Sequence, residues 1–144
     1  MNGSLFTTLA VGSLAFIAFF HLLWAVGIYW PGKDMDSLMA YTGGHFRRNP
    51  NALEMLVVAL VFLTGAALLA THRGWLPELL SPSLVSVGCW LMVLAFLARG
   101  IGGYWEHLIR SQILEMPYGR LTRVFYSPLA IATAISAALG LVLD

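Results

Sequence analysis

The sequence predicts an all-α integral membrane protein, a single domain of four spanning helices over residues 1–144. Three observations predict it. Of the residues, 59 % are hydrophobic and 10 % charged, against roughly 45–50 % and roughly 25 % in soluble domains. Four stretches approach the ~20 apolar residues that a spanning helix needs. None of the four alternates polar and apolar residues as a barrel strand does, which leaves helices to satisfy the backbone in lipid. The composition also excludes disorder, which needs low hydrophobicity and high charge. A net charge of +1 offers nothing for nucleic acid, and the lone Cys89 excludes both a disulfide framework within the chain and a CxxC motif.

The first span covers about residues 5–30, Leu5 to Trp30, without a charge. It lacks a basic n-region and is longer than the ~7–15-residue core of a signal peptide, so it is expected to be retained. The second, about 52–71, carries one charge, Glu54, near its start, and Pro50 suits its first turn. The third, about 84–108, contains Arg99, and Ile109 to Glu115 is expected to extend it out of the membrane. The fourth, about 126–143, is uncharged, with Pro128 in its first turn, where proline costs little. Gly43, Gly44 and Pro50 keep the first connection from forming a long helix, and Pro117 and Gly119 break the third.

Lysine and arginine set the expected orientation. Residues 31–51 hold Lys33, Arg47 and Arg48, and residues 108–125 hold Arg110, Arg120 and Arg123, whereas the opposite side has Arg73 alone. By the positive-inside rule both long loops are cytoplasmic and both termini lie on the outer side. Tyr29, Trp30, Tyr104, Trp105 and Tyr126 then fall at one interface and Trp75 at the other.

Counting along the helices places His21, Glu54, Arg99 and Glu106 in the same half of the membrane, where ionisable groups are costly and face the bundle interior. His21, Trp24 and Ile28 share one helical stripe, as do Arg99, Gly103 and Glu106. Gly100, Gly102 and Gly103 clear space beside Arg99, and the alanines of the fourth helix suit close packing. Each residue also has a structural reading. Arg99 pairs with Glu54 or Glu106, His21 bonds a neighbouring helix, Glu106 and Arg110 form an interfacial ion pair, Trp24 and Trp30 pack, and Cys89 fills space.

The four histidines give no second axial ligand at the depth of His21, so haem ligation by His21 alone is the remaining cofactor alternative; no cofactor is expected. No metal-binding cluster or dinucleotide fingerprint is present. His45, Arg47, Arg48, Arg120, Arg123 and Tyr126 lie near the expected cytoplasmic headgroups, where basic loops bind anions or simply set topology. Membrane lipids are the expected partners, with a homo-oligomer or a larger membrane complex as further expectations.

The segments FHLLWAVGIYW (Phe20 to Trp30), FLARGIGGY (Phe96 to Tyr104) and YGRLTRVFYSPLAI (Tyr118 to Ile131) resemble a family of small bacterial four-helix membrane proteins, domain of unknown function 3995. The likeness covers nearly the whole chain, and Tyr126 to Leu129 is its most specific piece. The family often carries an acidic residue before that tyrosine, where this chain has Thr122 and Val124, and another after the double glycine, where it has Tyr104 and Trp105. The resemblance implies four spanning helices in a bacterial inner membrane and no assigned activity. It singles out His21, Trp24, Gly27, Arg99, Gly103, Tyr126, Ser127 and Pro128. FRRNPNALEML (Phe46 to Leu56) is also similar to the membrane-associated eicosanoid and glutathione metabolism family, which implies a glutathione role for Arg48, Asn51 and Glu54.

Two functions are expected. One is a lipid- or small-ligand-binding bundle or accessory subunit, with His21, Trp24, Glu54, Arg99, Gly103, Glu106, Tyr126 and Ser127 as candidate ligand contacts. The other is a membrane enzyme acting on a lipophilic substrate, in which Arg99 holds an anionic group and His21 or Glu54 moves a proton.

Overall fold

A computed structural model describes residues 2–43 and 48–143, and every regular element among them is helical. His45 and Arg47 lie outside the described residues. In chain order the helices are α1 (Gly3–Ala25), α2 (Met35–Thr42), α3 (Ala52–His72), α4 (Pro82–Trp105), α5 (Pro117–Leu121) and α6 (Ser127–Val142). Four helical runs are long and apolar enough to cross a membrane: α1, α3, α4 with the turn after it, and α5 continued into α6. α1 packs on α3 and α6, and α4 packs on the same two, so the four form a square with α1 and α4 on a diagonal. Near the end of α6, Gly140 lies against Thr7, which puts both termini at one end of the bundle. The short helices α2 and α5 occupy the other.

Local chemistry explains the boundaries. Asn2, Asp34, Asn51 and Ser81 each cap a helix start by accepting a backbone N–H with the side chain. α3 begins after Asn51, so Pro50 precedes the helix instead of opening it. α1 ends at Ala25, five residues before the expected Trp30. Gly27 adopts φ +88°, and the Gly27 and Ile28 amides close back on the Trp24 and Leu23 carbonyls at 3.1 and 2.9 Å. That left-handed closure ends the helix, and Ile28 therefore leaves the stripe of His21 and Trp24. Gly74 ends α3 in the same way, at φ +77°.

The loop expected over 31–51 contains α2, held by a reciprocal Asp34–Ser37 capping box, with Leu38 and Met39 buried against Trp24 and Met55. α4 stops at Trp105. Instead of a helical extension there are two 3-10 turns, Glu106–Leu108 and Ser111–Glu115, with the chain turned at Arg110 (φ −130°, ψ 71°). Burial of Ile113 under Gly119 explains this return: a Cβ at Gly119 would lie 2.0 Å from the Ile113 carbonyl oxygen. The fourth helical run begins at Pro117, not Tyr126, and the stretch 117–125 is helical where a loop was expected. Pro117 opens it, and a π-helical turn over Thr122–Tyr126 leads into Pro128. Proline lacks the N–H that would reach back along the helix and its ring crowds the preceding turn. The wider π turn absorbs that mismatch.

The core towards the termini is made of small and branched residues, including Ala10, Leu14, Cys89, Ala134 and Ala137, all at or below 1 % exposure. The outer faces carry large apolar side chains, Leu5, Leu53 and Val142 among them.

Candidate functional site

A cavity of about 1610 Å³ lies between α1, α3, α4 and the start of α6, with α2 across one end. Its walls are mainly apolar, and the polar groups gather towards α2: His21, Arg48, Glu54, Arg99 and Tyr126. Val61 and Leu91 belong to its lining and are 63 % and 61 % exposed, so the cleft opens sideways between helices. A second cavity, about 440 Å³, is lined by Arg99, Gly103, Glu106, Arg110 and Tyr118. Arg99 borders both.

Of the eight residues expected at the site, His21, Trp24, Glu54, Arg99 and Tyr126 line the large cleft. Gly103 and Glu106 line the smaller cavity, and Ser127 is fully buried beside Gly103. Several of their partners differ from the expected ones. His21 bonds its own helix: Nδ1 lies 2.8 Å from the Ile17 carbonyl oxygen. A carbonyl only accepts, so Nδ1 carries a proton, and in the neutral ring Nε2 keeps a lone pair. The ring packs at a tilt against Trp24 and Phe62 (centroids 4.7 and 5.3 Å), and Phe62 continues to Phe96. Trp24 is held by packing and by Nε1 donating to the Trp30 carbonyl at 2.8 Å, which ties down the turn after α1.

Glu54 pairs with Arg48, not with Arg99. The reason is local. The Asn51–Glu54 capping box fixes the carboxylate at the start of α3, where it accepts the Asn51 amide at 2.8 Å, and Arg48 approaches from the preceding turn. The bond from Glu54 holds the Arg48 guanidinium more firmly in its charged form.

Arg99 reaches Glu106 only through a phenol. Its Nη2 donates to Tyr118 Oη at 3.0 Å, and Tyr118 Oη donates to Glu106 Oε2 at 2.7 Å. Arg110 completes the chain, pairing with Glu106 Oε1 at 2.6 Å and donating to the Gly43 carbonyl at 3.0 Å. Tyr126 donates to the Tyr41 carbonyl at 3.0 Å. These bonds join the end of α4, the α5 segment and the end of α2. Tyr118 is the residue that sequence reasoning missed. The available signal was Pro117, which opens a helix whose first turn carries Tyr118 towards α4.

A close approach underlies this corner. A Cβ on Gly103 would lie 2.1 Å from Ser127 Oγ, 2.7 Å from Arg99 Nη1 and 2.9 Å from Thr122 Cγ2. Only glycine leaves room for the hydroxyl and the guanidinium together.

No curated protein and no solved structure matches the chain. The likeness of residues 46–56 to the eicosanoid and glutathione family finds no support in these comparisons, and Arg48, Asn51 and Glu54 bond one another. A family model described as "Protein of unknown function (DUF3995)" matches residues 14–137, most of the chain. The segments around His21, Arg99 and Tyr126 all fall within that match, and the chain belongs to the DUF3995 family.

Proposed function

We propose that the protein spans a membrane and binds a lipophilic small molecule in the cleft between α1, α3 and α4. The carrying observation is the cleft itself. Its volume of about 1610 Å³ exceeds the ~300–1,000 Å³ of most small-molecule pockets, and it opens sideways, where an apolar molecule would enter from lipid. His21 Nε2, Arg99 and the Tyr126 hydroxyl at one end supply the few polar contacts that orient a ligand. The excess of lysine and arginine at the α2–α5 end supports a cytoplasmic position for that end and an outer position for both termini.

The test is native mass spectrometry of the chain extracted from membranes in mild detergent, with lipid analysis and an absorption spectrum of the same sample. The expected result is a retained adduct that disappears in Ala95→Trp, which fills the cleft, while the thermal transition is kept. Bare polypeptide mass after extraction without detergent, in polymer-bounded lipid discs, would overturn the proposal. A Soret band lost in His21→Ala would make the ligand haem. The same spectra record the oligomeric state and any co-purifying subunit.

One observation favours a second reading, a membrane enzyme: His21, Glu54, Arg99 and Tyr126 all line one cavity. In that reading His21 Nε2 accepts a proton from the bound molecule. A retained ligand whose mass changes on incubation, and stays constant in His21→Ala, is the result that selects it.

A further inference from the structure

We infer, on the reading of the cleft as a lipophile site, that its ligand is a lipid-derived amphiphile with an anionic head, a carboxylate or phosphate held by Arg99. Two carboxylates line the two cavities, Glu54 in the cleft and Glu106 in the smaller one, and both are taken. Glu54 accepts from Arg48 and from the start of α3. Glu106 accepts from Arg110 and Tyr118. Arg99 has a single hydrogen bond, to the neutral Tyr118 oxygen. Among the described residues it is the cation bordering the cleft that has no carboxylate partner.

Arg99 is exposed and borders both cavities, and a guanidinium without a counter-charge at membrane depth is costly. It has five N–H donors in a planar fork that fits a carboxylate or phosphate. An anionic head supplies the missing charge, whereas a neutral head leaves the cost in place. A second observation stands beside the first. Ser127 Oγ is fully buried without a hydrogen-bond partner, and it and Arg99 Nη1 flank the same notch at Gly103. The smaller cavity on the far side of Arg99 gives the head room.

Length identifies the rest of the molecule. Arg99 and Gly88 both line the cleft, and their separation along α4 corresponds to roughly 16 Å at ~1.5 Å per residue. That is about half of the ~30 Å hydrocarbon core, the depth of one leaflet. Leu68 and Met92 line the same stretch and give a tail an apolar wall.

The test uses the delipidated full chain in detergent, titrated under native mass spectrometry with oleate, oleyl alcohol and acetate. The expected result is oleate binding at least tenfold tighter than oleyl alcohol, with no acetate adduct. Arg99→Gln, which keeps a donor for Tyr118, is expected to cut that preference below twofold, and Arg99→Lys to retain it. Equal binding of oleate and oleyl alcohol would overturn the anionic head while leaving the cleft proposal standing. Binding of neither would overturn both. Acetate binding as tight as oleate would mean a free-anion site and also overturn the inference. The wild-type comparison decides the matter even where a variant fails to fold.

Discussion

Gly102 and Gly103 are neighbours in α4 with opposite roles. A Cβ at Gly102 meets nothing within 4 Å, whereas one at Gly103 would strike Ser127, Arg99 and Thr122. Gly102→Ala is expected to raise helix stability by about 0.5–1 kcal/mol, because glycine loses more backbone freedom on folding. Gly103→Ala is expected to cost about 1–3 kcal/mol through overpacking and to displace the Arg99 guanidinium. Thermal unfolding of the two variants side by side checks the contrast; equal transitions would mean that the corner has room for a methyl group. The sequence marked both glycines as space beside Arg99, but not which one faces a neighbour. That choice depends on how α4 is rotated against α6, which no local pattern records. The same limit hid Tyr118. Its bonds to Arg99 and Glu106 form only after the α5 segment folds back under the end of α4.

At the scale of elements, what is local was legible and what is tertiary was not. The start of α3 at Ala52 was legible, although Pro50 was expected in its first turn, where Asn51 and Glu54 cap each other instead; Asn51→Ala is expected to cost about 0.5–2 kcal/mol by removing the cap, read as a lower thermal midpoint. The existence of α2 was not legible, because eight residues are too few to hold a helix alone. Burial of Leu38 and Met39 at the foot of the bundle stabilises it. Its other support is the Asp34 cap. The Ser37 amide and hydroxyl bonded to Asp34 hold that carboxyl below its ordinary value of 3.8. The sign follows from that direction. A lowered folded-state value contributes stability that is fully present above about pH 4 and is lost as pH falls through the depressed value. Protection of the amides of residues 35–42, measured against their intrinsic exchange rates, is therefore expected to fall below pH 4. Asp34→Asn, which still accepts from Ser37, is expected to remove that pH dependence. Exchange rates of α2 that follow the intrinsic pH curve in wild type would contradict the cap's role.

On the scale of the molecule, hydropathy made four helices plain because a spanning run must be apolar over its full length. It said nothing of the cleft, which arises from how α3 and α4 pack; of the ion pairs, the sequence spacing carried Glu106 with Arg110, four residues apart, but not Arg48 with Glu54. It did put the polar residues at one end, and charge distribution turns that end into a prediction about orientation. Lys33, Arg48, Arg110, Arg120 and Arg123 stand at the α2–α5 end, and Arg73 stands in the connection between α3 and α4 at the opposite end. Positive charge resists translocation, so the α2–α5 end is expected in the cytoplasm. Leu79 and Ile109 report the two ends well, being 87 % and 88 % exposed, while the native Cys89 is fully buried and silent to a water-soluble reagent. In spheroplasts, a membrane-impermeant maleimide is expected to label Leu79→Cys directly and Ile109→Cys only after lysis. The reverse pattern would invert the bundle and place the mouth of Arg99 on the outer side. Labelling of both without lysis would deny that the two ends are separated by a membrane. The expected pattern would put the anion-binding end of the cleft in the inner leaflet, so that an amphiphile reaching Arg99 approaches with its head on the cytoplasmic side.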